Sequence, residues 1–121
     1  AEDEPLVREF TCGALELMGF QTVATSDGEE ALEAFKKDPF RFRLALLDYT
    51  MPRRNGRETL LALQALRPDF PVVLCSGYSA RECLGPLQDA PGAVRFLPKP
   101  YHLSDLRRVL SDLLGQGPAQ S

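Results

Sequence analysis

Apolar positions along the chain alternate between a helical and an extended period. In some stretches apolar residues recur every three or four positions, and in others they form short continuous runs. This alternation is typical of a parallel sheet whose strands are joined by crossover helices, so the sequence predicts an α/β fold. Helices are predicted over 5–18, after the capping signals at 26–29 and 55–58, over 80–88 and over 103–113. The predicted strands cover 20–25, 44–47, 71–75 and 93–97.

The first predicted helix has a clear start and a clear apolar stripe. Pro5 suits the first helical position, where its missing N–H is not needed. Leu6, Phe10, Ala14 and Leu17 follow at helical spacing and form one face of the helix.

Two later helices carry N-terminal capping signals. Ser26 and Glu29 have capping-box spacing ahead of one helix, and Asn55 and Glu58 have the same spacing ahead of another. The predicted helix over 80–88 contains a glycine–proline pair at 85–86, which removes a backbone donor. We expect that helix to be short, kinked or mobile.

Composition limits the chain to one ordinary domain. Its 121 residues are 44% hydrophobic and 26% charged, which excludes two-domain enzymes and disordered or fibrous classes. We expect a domain over 1–114 and a C-terminal tail or linker over 115–121. A formal charge of −3 provides no general attraction for nucleic acid or anionic lipid, so neither is expected as a direct partner.

The cysteines indicate a reducing compartment. Cys12, Cys75 and Cys83 are odd in number and have no CxxC spacing, which argues against a disulfide framework or a zinc site. The longest apolar runs are too short to span a bilayer. We therefore expect a cytoplasmic location.

Chemically distinct residues stand where predicted strands end. Asp48, Ser76 and Lys99 each follow an apolar run, and Glu2 and Asp3 precede the first helix. In an open α/β sheet these positions converge on the carboxyl edge, where ligands bind. Carboxylates suit a hard cation such as Mg²⁺, and a lysine and a hydroxyl suit a phosphoryl group.

These residues stand in motifs that resemble the receiver domain of a response regulator in two-component signalling. The motifs are Glu-Asp-Glu-Pro at 2–5, Leu-Leu-Asp-Tyr-Thr-Met-Pro at 46–52 with Asn-Gly at 55–56, Ser-Gly-Tyr-Ser at 76–79 and Phe-Leu-Pro-Lys-Pro at 96–100. The resemblance implies a flavodoxin-like, doubly wound parallel sheet of order 2-1-3-4-5. The family's first strand would be largely absent from this chain, either because the sequence is trimmed or because another chain donates the strand.

The resemblance also implies a role for each of the acids. Asp48 would be the phosphoacceptor. Glu2, Asp3, Asp48 and the backbone carbonyl of Thr50 would hold Mg²⁺, with Asp3 a direct ligand and Glu2 acting mostly through water.

Further roles carry over to the later motifs. Ser76 would hydrogen-bond the phosphoryl group, and Lys99 would pair with it or with Asp48. The family implies a cis peptide bond between Lys99 and Pro100, and it places an aromatic switch at Phe96, whose position follows the state of Ser76.

The implied function is signalling rather than metabolic catalysis. Such a domain takes a phosphoryl group from a histidine kinase or a phosphotransfer protein, promotes this transfer and its own dephosphorylation, and controls a downstream or covalently attached domain. The motifs are most similar to those of receivers attached to sensor kinases. The sequence does not decide whether the domain forms a homodimer.

Three alternatives compete with this reading. A pseudo-receiver would dock a partner without using phosphate. A phosphoaspartate phosphatase would want a second aspartate where Thr50 stands. A flavin module would want a phosphate-binding loop, where Glu2 and Asp3 would repel phosphate.

Overall fold

The computed structural model describes residues 1–51, 54–77, 82 and 94–114. Within them the chain forms helices α1 (Pro5–Leu17), α2 (Gly28–Lys37), α3 (Gly56–Leu66) and α4 (Leu103–Leu114), and strands β1 (Ala45–Asp48), β2 (Val72–Ser76) and β3 (Val94–Pro98). The helix predicted over 80–88 and the tail predicted over 115–121 lie outside the described residues.

The three strands form a parallel sheet in the order β1-β2-β3. Asp48 pairs in register with Cys75, and Ser76 pairs with Pro98, so these strands end at one edge. Every residue of β2 is buried, which explains its unbroken apolar run between covering layers. The α/β prediction is confirmed, with each strand displaced by about one residue from its predicted position.

Helices cover both faces of the sheet. The core cluster on one face joins α2 and α3 to the sheet and contains Leu32, Phe35, Leu47, Leu60, Leu63, Phe70, Val72 and Leu74. The cluster on the other face joins α1 and α4 to the sheet and contains Ala14, Val73, Cys75, Leu97, Leu106 and Leu110. Among the described residues, no helix combines the length and apolar character needed to cross a bilayer.

The apolar face predicted for α1 lies largely in solvent. Ala14 is buried, but Leu6, Phe10 and Leu17 are exposed by 77%, 52% and 83%. The other buried side chain of α1 is Thr11. Helical spacing identifies residues that share a face of a helix, but it does not indicate which face meets the sheet. In α1 the face that meets the sheet carries Thr11 and Ala14.

Residues 20–25 do not form the predicted strand. A strand needs a neighbour with which to exchange a series of backbone hydrogen bonds. The Glu2 N–H donates to the Thr25 carbonyl at 3.0 Å, and the Asp48 N–H donates to the Ala1 carbonyl at 2.9 Å. A cavity of about 380 Å³ extends beside these bonds, and residues 20–25 and 44–48 are among those that line it.

One capping box is confirmed, and at the other helix the N-cap is a different residue. At α3 the Asn55 side chain accepts from the Glu58 N–H, and the Glu58 side chain accepts from the Asn55 N–H. The predicted box of Ser26 and Glu29 is wrong. Because α2 begins at Gly28, Asp27 is the N-cap and accepts from the Glu30 N–H, while Ser26 donates to the Glu30 carboxylate.

Candidate functional site

Three carboxylates meet at the carboxyl edge of the sheet. Glu2, Asp3 and Asp48 each place a carboxylate oxygen within 4.8 Å of the others. Asp48 ends β1, and its backbone bond to Ala1 fixes the acid pair beside it. The structure therefore brings Glu2, Asp3 and Asp48 together, as the sequence predicted.

Lys99 brings a cation to this cluster. Its backbone N–H donates to the Ser76 carbonyl at 2.8 Å, which anchors the turn after β3 to the end of β2. The predicted cis peptide bond between Lys99 and Pro100 is present. From this turn the Lys99 Nζ lies 2.7 Å from Asp48 Oδ1 and 3.1 Å from Glu2 Oε1.

The loop after Asp48 is held by its backbone. The Tyr49 N–H donates to the Cys75 carbonyl, and the Gly56 N–H donates to the Tyr49 carbonyl, both at 2.8 Å. Gly56 lies so close to this loop that a Cβ there would come within 2.7 Å of the Asp48 carbonyl oxygen and 2.8 Å of the Tyr49 Cα. A glycine at this position therefore lets α3 pack directly against the loop that follows Asp48.

Burial dominates the electrostatics of Asp48. Its side chain is only 7% exposed. Burial raises the pKa of Asp48, and the hydrogen bond from Lys99 offsets only part of this effect because Glu2 and Asp3 add negative charge nearby. The ammonium of Lys99 therefore favours the ionised form of Asp48 against the effect of burial.

Lys99 responds in the opposite sense. Burial disfavours its charge, but the hydrogen bonds and charges of Asp48 and Glu2 outweigh burial and raise the pKa of Lys99. Lys99 thus remains an ammonium ion at neutral pH.

One ammonium does not neutralise three carboxylates. Three negative charges and one positive charge leave the cluster of Glu2, Asp3, Asp48 and Lys99 at a formal −2. The atoms with which Glu2, Asp3 and Asp48 could bind a metal ion are all carboxylate oxygens, and Mg²⁺ prefers oxygen ligands. Charge and ligand chemistry therefore both fit one Mg²⁺ ion.

The other predicted site residues lie on three different parts of the sheet edge and core. Ser76 is buried at the end of β2, one strand away from Asp48. Thr50 is exposed on the loop two residues after Asp48. Phe96 is partly buried in β3 and packs against the core cluster that joins α2 and α3 to the sheet.

Two contacts of the site were not anticipated from sequence. Lys99 binds Glu2 as well as Asp48, whereas Glu2 was expected to act through water. The hydroxyls of Thr11 and Tyr101 share a hydrogen bond of 2.7 Å, which ties α1 to the turn that carries Lys99. The available signal was a polar residue on α1 one turn from Ala14, and a tyrosine directly after Lys99-Pro100.

Comparisons with known proteins agree with this geometry. The sequence model of the response regulator receiver domain family matches residues 1–111. The response regulator receiver protein CpdR of Brucella abortus is 33% identical over 114 residues, covering 94% of this chain and 92% of that protein. The sensor kinase CckA of the same organism is 30% identical over 113 residues, covering 93% of this chain but 12% of the kinase.

A solved structure shows the same likeness. The response regulator TrrA of Thermotoga maritima, crystallised in complex with Mg²⁺ and BeF, superposes with a TM-score of 0.80 at 26% identity. The superposition covers 93% of this chain and 94% of that one. The similarity thus extends over nearly the whole domain.

Proposed function

Because the chain belongs to the response regulator receiver domain family of two-component signalling, we propose that it accepts a phosphoryl group from a histidine kinase or a phosphotransfer protein on Asp48. The observation that carries this proposal is the contact of 2.7 Å between the Lys99 ammonium and Asp48 within a cluster of three carboxylates. A fixed cation beside a buried acid favours the ionised carboxylate, which is the form that acts as a nucleophile.

Asp48 acts as the nucleophile. One of its carboxylate oxygens attacks the phosphorus of a phosphohistidine in line with the bond to the ring nitrogen. The new P–O bond forms as the P–N bond breaks, and the histidine nitrogen leaves with the electron pair and takes up a proton. The product is an acyl phosphate on Asp48, which water later hydrolyses at the same site.

Lys99 and Ser76 bind the transferred group. The Lys99 ammonium already lies beside Asp48, so charge that accumulates on the phosphoryl oxygens meets a cation without movement of the turn. Ser76, which ends the neighbouring strand, supplies a hydroxyl that hydrogen-bonds a phosphoryl oxygen.

Glu2, Asp3, Asp48 and the Thr50 carbonyl are the residues that would hold Mg²⁺. When bound, Mg²⁺ supplies positive charge that offsets the charge of the phosphoryl oxygens. The −2 charge of the cluster provides the attraction, and Lys99 offsets the remaining repulsion among the acids.

Phosphorylation shifts the domain between two packings. In this scheme the Ser76 side chain moves toward the phosphoryl group, and Phe96 turns further into the space behind it. Phe96 is partly buried in β3, the strand that leads to Lys99. The altered surface then controls a partner or an attached domain.

The surface beside the site favours a protein as the donor. Leu6 and Phe10 are exposed on α1, and together with Pro100 and Tyr101 they line a groove that reaches Lys99. Exposed apolar side chains next to a reactive group are suited to contact with a partner protein. We therefore assign this groove to contact with the phosphoryl donor.

The test is intact-mass analysis after incubation with acetyl phosphate, with and without Mg²⁺. We expect one phosphoryl adduct that requires Mg²⁺ and is absent from Asp48→Asn. Asp112→Asn, an exposed acid on α4, is the matched control and should form the adduct normally. A folded protein that forms no adduct, or an Asp48→Asn variant that forms it, would overturn the proposal, and the first result would favour a pseudo-receiver.

A further inference from the structure

The position of the Lys99 ammonium depends on both ends of the turn that carries it. On the upstream side, the Lys99 N–H is bonded to the Ser76 carbonyl at the end of β2. On the downstream side, the chain leaves through Pro100 and Tyr101 before α4 begins. A group that must lie within hydrogen-bond distance of Asp48 needs both sides held.

Tyr101 provides the downstream anchor. Its hydroxyl lies 2.7 Å from the Thr11 hydroxyl, and its ring packs at 6.5 Å from the ring of Phe10. Burial raises the pKa of Tyr101, so its phenol stays protonated and available for this bond. The anchor is therefore a neutral hydrogen bond together with a ring contact.

Thr11 connects this anchor to the acids. It is buried on α1, which begins at Pro5, two residues after Asp3. The Arg8 guanidinium on the same helix donates to the Glu2 carbonyl at 2.8 Å. The hydrogen bond between Thr11 and Tyr101 therefore joins α1, which follows the acid pair, to the turn that carries Lys99.

We propose that Thr11 and Tyr101 are positioning residues for phosphoryl transfer, because the hydrogen bond between their hydroxyls holds the Lys99 ammonium against Asp48. This inference rests on the proposed function. Neither hydroxyl acts on the phosphoryl group. Their effect is on the placement of Lys99, and small displacements of a charged group at a reacting centre slow transfer.

The test compares the rate of adduct formation with acetyl phosphate and Mg²⁺ in variants that lose one hydroxyl. Tyr101→Phe and Thr11→Val should each slow the rate by about threefold to tenfold, the range that follows from loss of one neutral hydrogen bond. The double variant should be no slower than either single variant, because both remove the same bond. Thr11→Ser keeps the hydroxyl and should restore the rate.

A matched control and a second readout separate positioning from a general loss of structure. Thr22→Val removes another hydroxyl, which is bonded to α1 through Glu16, and should leave the rate unchanged. The second readout is the free energy of unfolding from urea denaturation. If Tyr101 holds the Lys99 ammonium in place, Lys99→Met should cost less stability in the Tyr101→Phe background than in the wild type.

The outcomes distinguish this inference from the proposed function. Wild-type rates in both Tyr101→Phe and Thr11→Val, or additive losses in the double variant, would overturn the positioning role while leaving the function of Asp48 intact. No adduct in the wild type, with the stability coupling between Tyr101 and Lys99 still present, would overturn phosphoryl transfer but would support the placement of Lys99. Absence of both would overturn the two proposals together.

Discussion

Replacement of Lys99 by methionine tests the electrostatics of the site directly. The change keeps much of the side-chain length but removes the ammonium that lies 2.7 Å from Asp48 and 3.1 Å from Glu2. The two carboxylates, exposed by only 7% and 11%, then face each other without a cation. The folded state should lose stability at neutral pH.

The magnitude follows from the number of bonds and their exposure. A hydrogen bond to a charged group contributes about 1.5–3 kcal/mol, and leaving a buried charge unpaired costs about 3–5 kcal/mol. Because the Lys99 side chain is 26% exposed, water screens part of this interaction. We therefore expect a loss of about 2 kcal/mol at pH 7 without Mg²⁺.

The loss should shrink as the pH falls. In the variant, the pKa of Asp48 rises further above its ordinary value, because burial is no longer opposed by Lys99. An acid with a raised folded-state pKa binds protons more strongly when folded, so stability increases as the pH falls toward that pKa. The raised pKa of Lys99 acts in the complementary sense: its stabilisation is complete at neutral pH and is lost only at strongly alkaline pH.

Urea denaturation followed by far-UV circular dichroism measures this effect at about pH 7 and about pH 5. A loss of about 2 kcal/mol corresponds to a midpoint shift of about 1 M urea for a typical slope. Mg²⁺ should recover part of the loss at pH 7, because binding to the folded state alone stabilises it. Lys37→Met, an exposed lysine in the last turn of α2, is the control. An equal loss at both pH values, or no loss beyond that of Lys37→Met, would refute the reasoning.

Three further predictions test the donor surface and the supports of the site. Leu6→Ser should slow phosphoryl uptake from a histidine kinase by about fivefold or more but leave uptake from acetyl phosphate unchanged, with the equally exposed Leu17→Ser as control. Asn55→Ala should lower the free energy of unfolding by about 1 kcal/mol in urea denaturation, whereas Asn55→Asp should retain the cap. Gly56→Ala should destabilise by about 1–3 kcal/mol through overlap with the loop behind it, while Gly13→Ala, in open space on α1, should not destabilise. In each case, an equal effect of the variant and its control would contradict the role given to the substituted residue.

Local patterns in the sequence determined most of the elements. The apolar runs before Asp48 and Ser76 are strands because both of their faces are covered by helices. The Asn55 cap was predictable because its partner lies only three residues away. The cap of α2 was displaced because Ser26 and Asp27 both have suitable side chains, and only the start of the helix at Gly28 selects between them.

Burial and pairing depended on the tertiary structure. Helical spacing groups Leu6, Phe10 and Leu17 on one face of α1, but the packing of Ala14 and Thr11 against the rest of the fold turns that face outward. The apolar and β-branched residues over 20–25 suit a strand, yet a strand forms only where a neighbouring backbone is present to complete its hydrogen bonds.

The candidate site shows the same division. Sequence alone indicated that Glu2, Asp3, Asp48 and Lys99 meet, because the carboxyl ends of parallel strands lie at one edge. It did not indicate which atoms touch. Lys99 reaches Glu2 across 97 positions, and Thr11 reaches a tyrosine across 90, through distances set by the packing of α1 and the turn after β3. The residues in these contacts are far apart in the sequence, so only the assembled fold determines the separations on which the energy of the contacts depends.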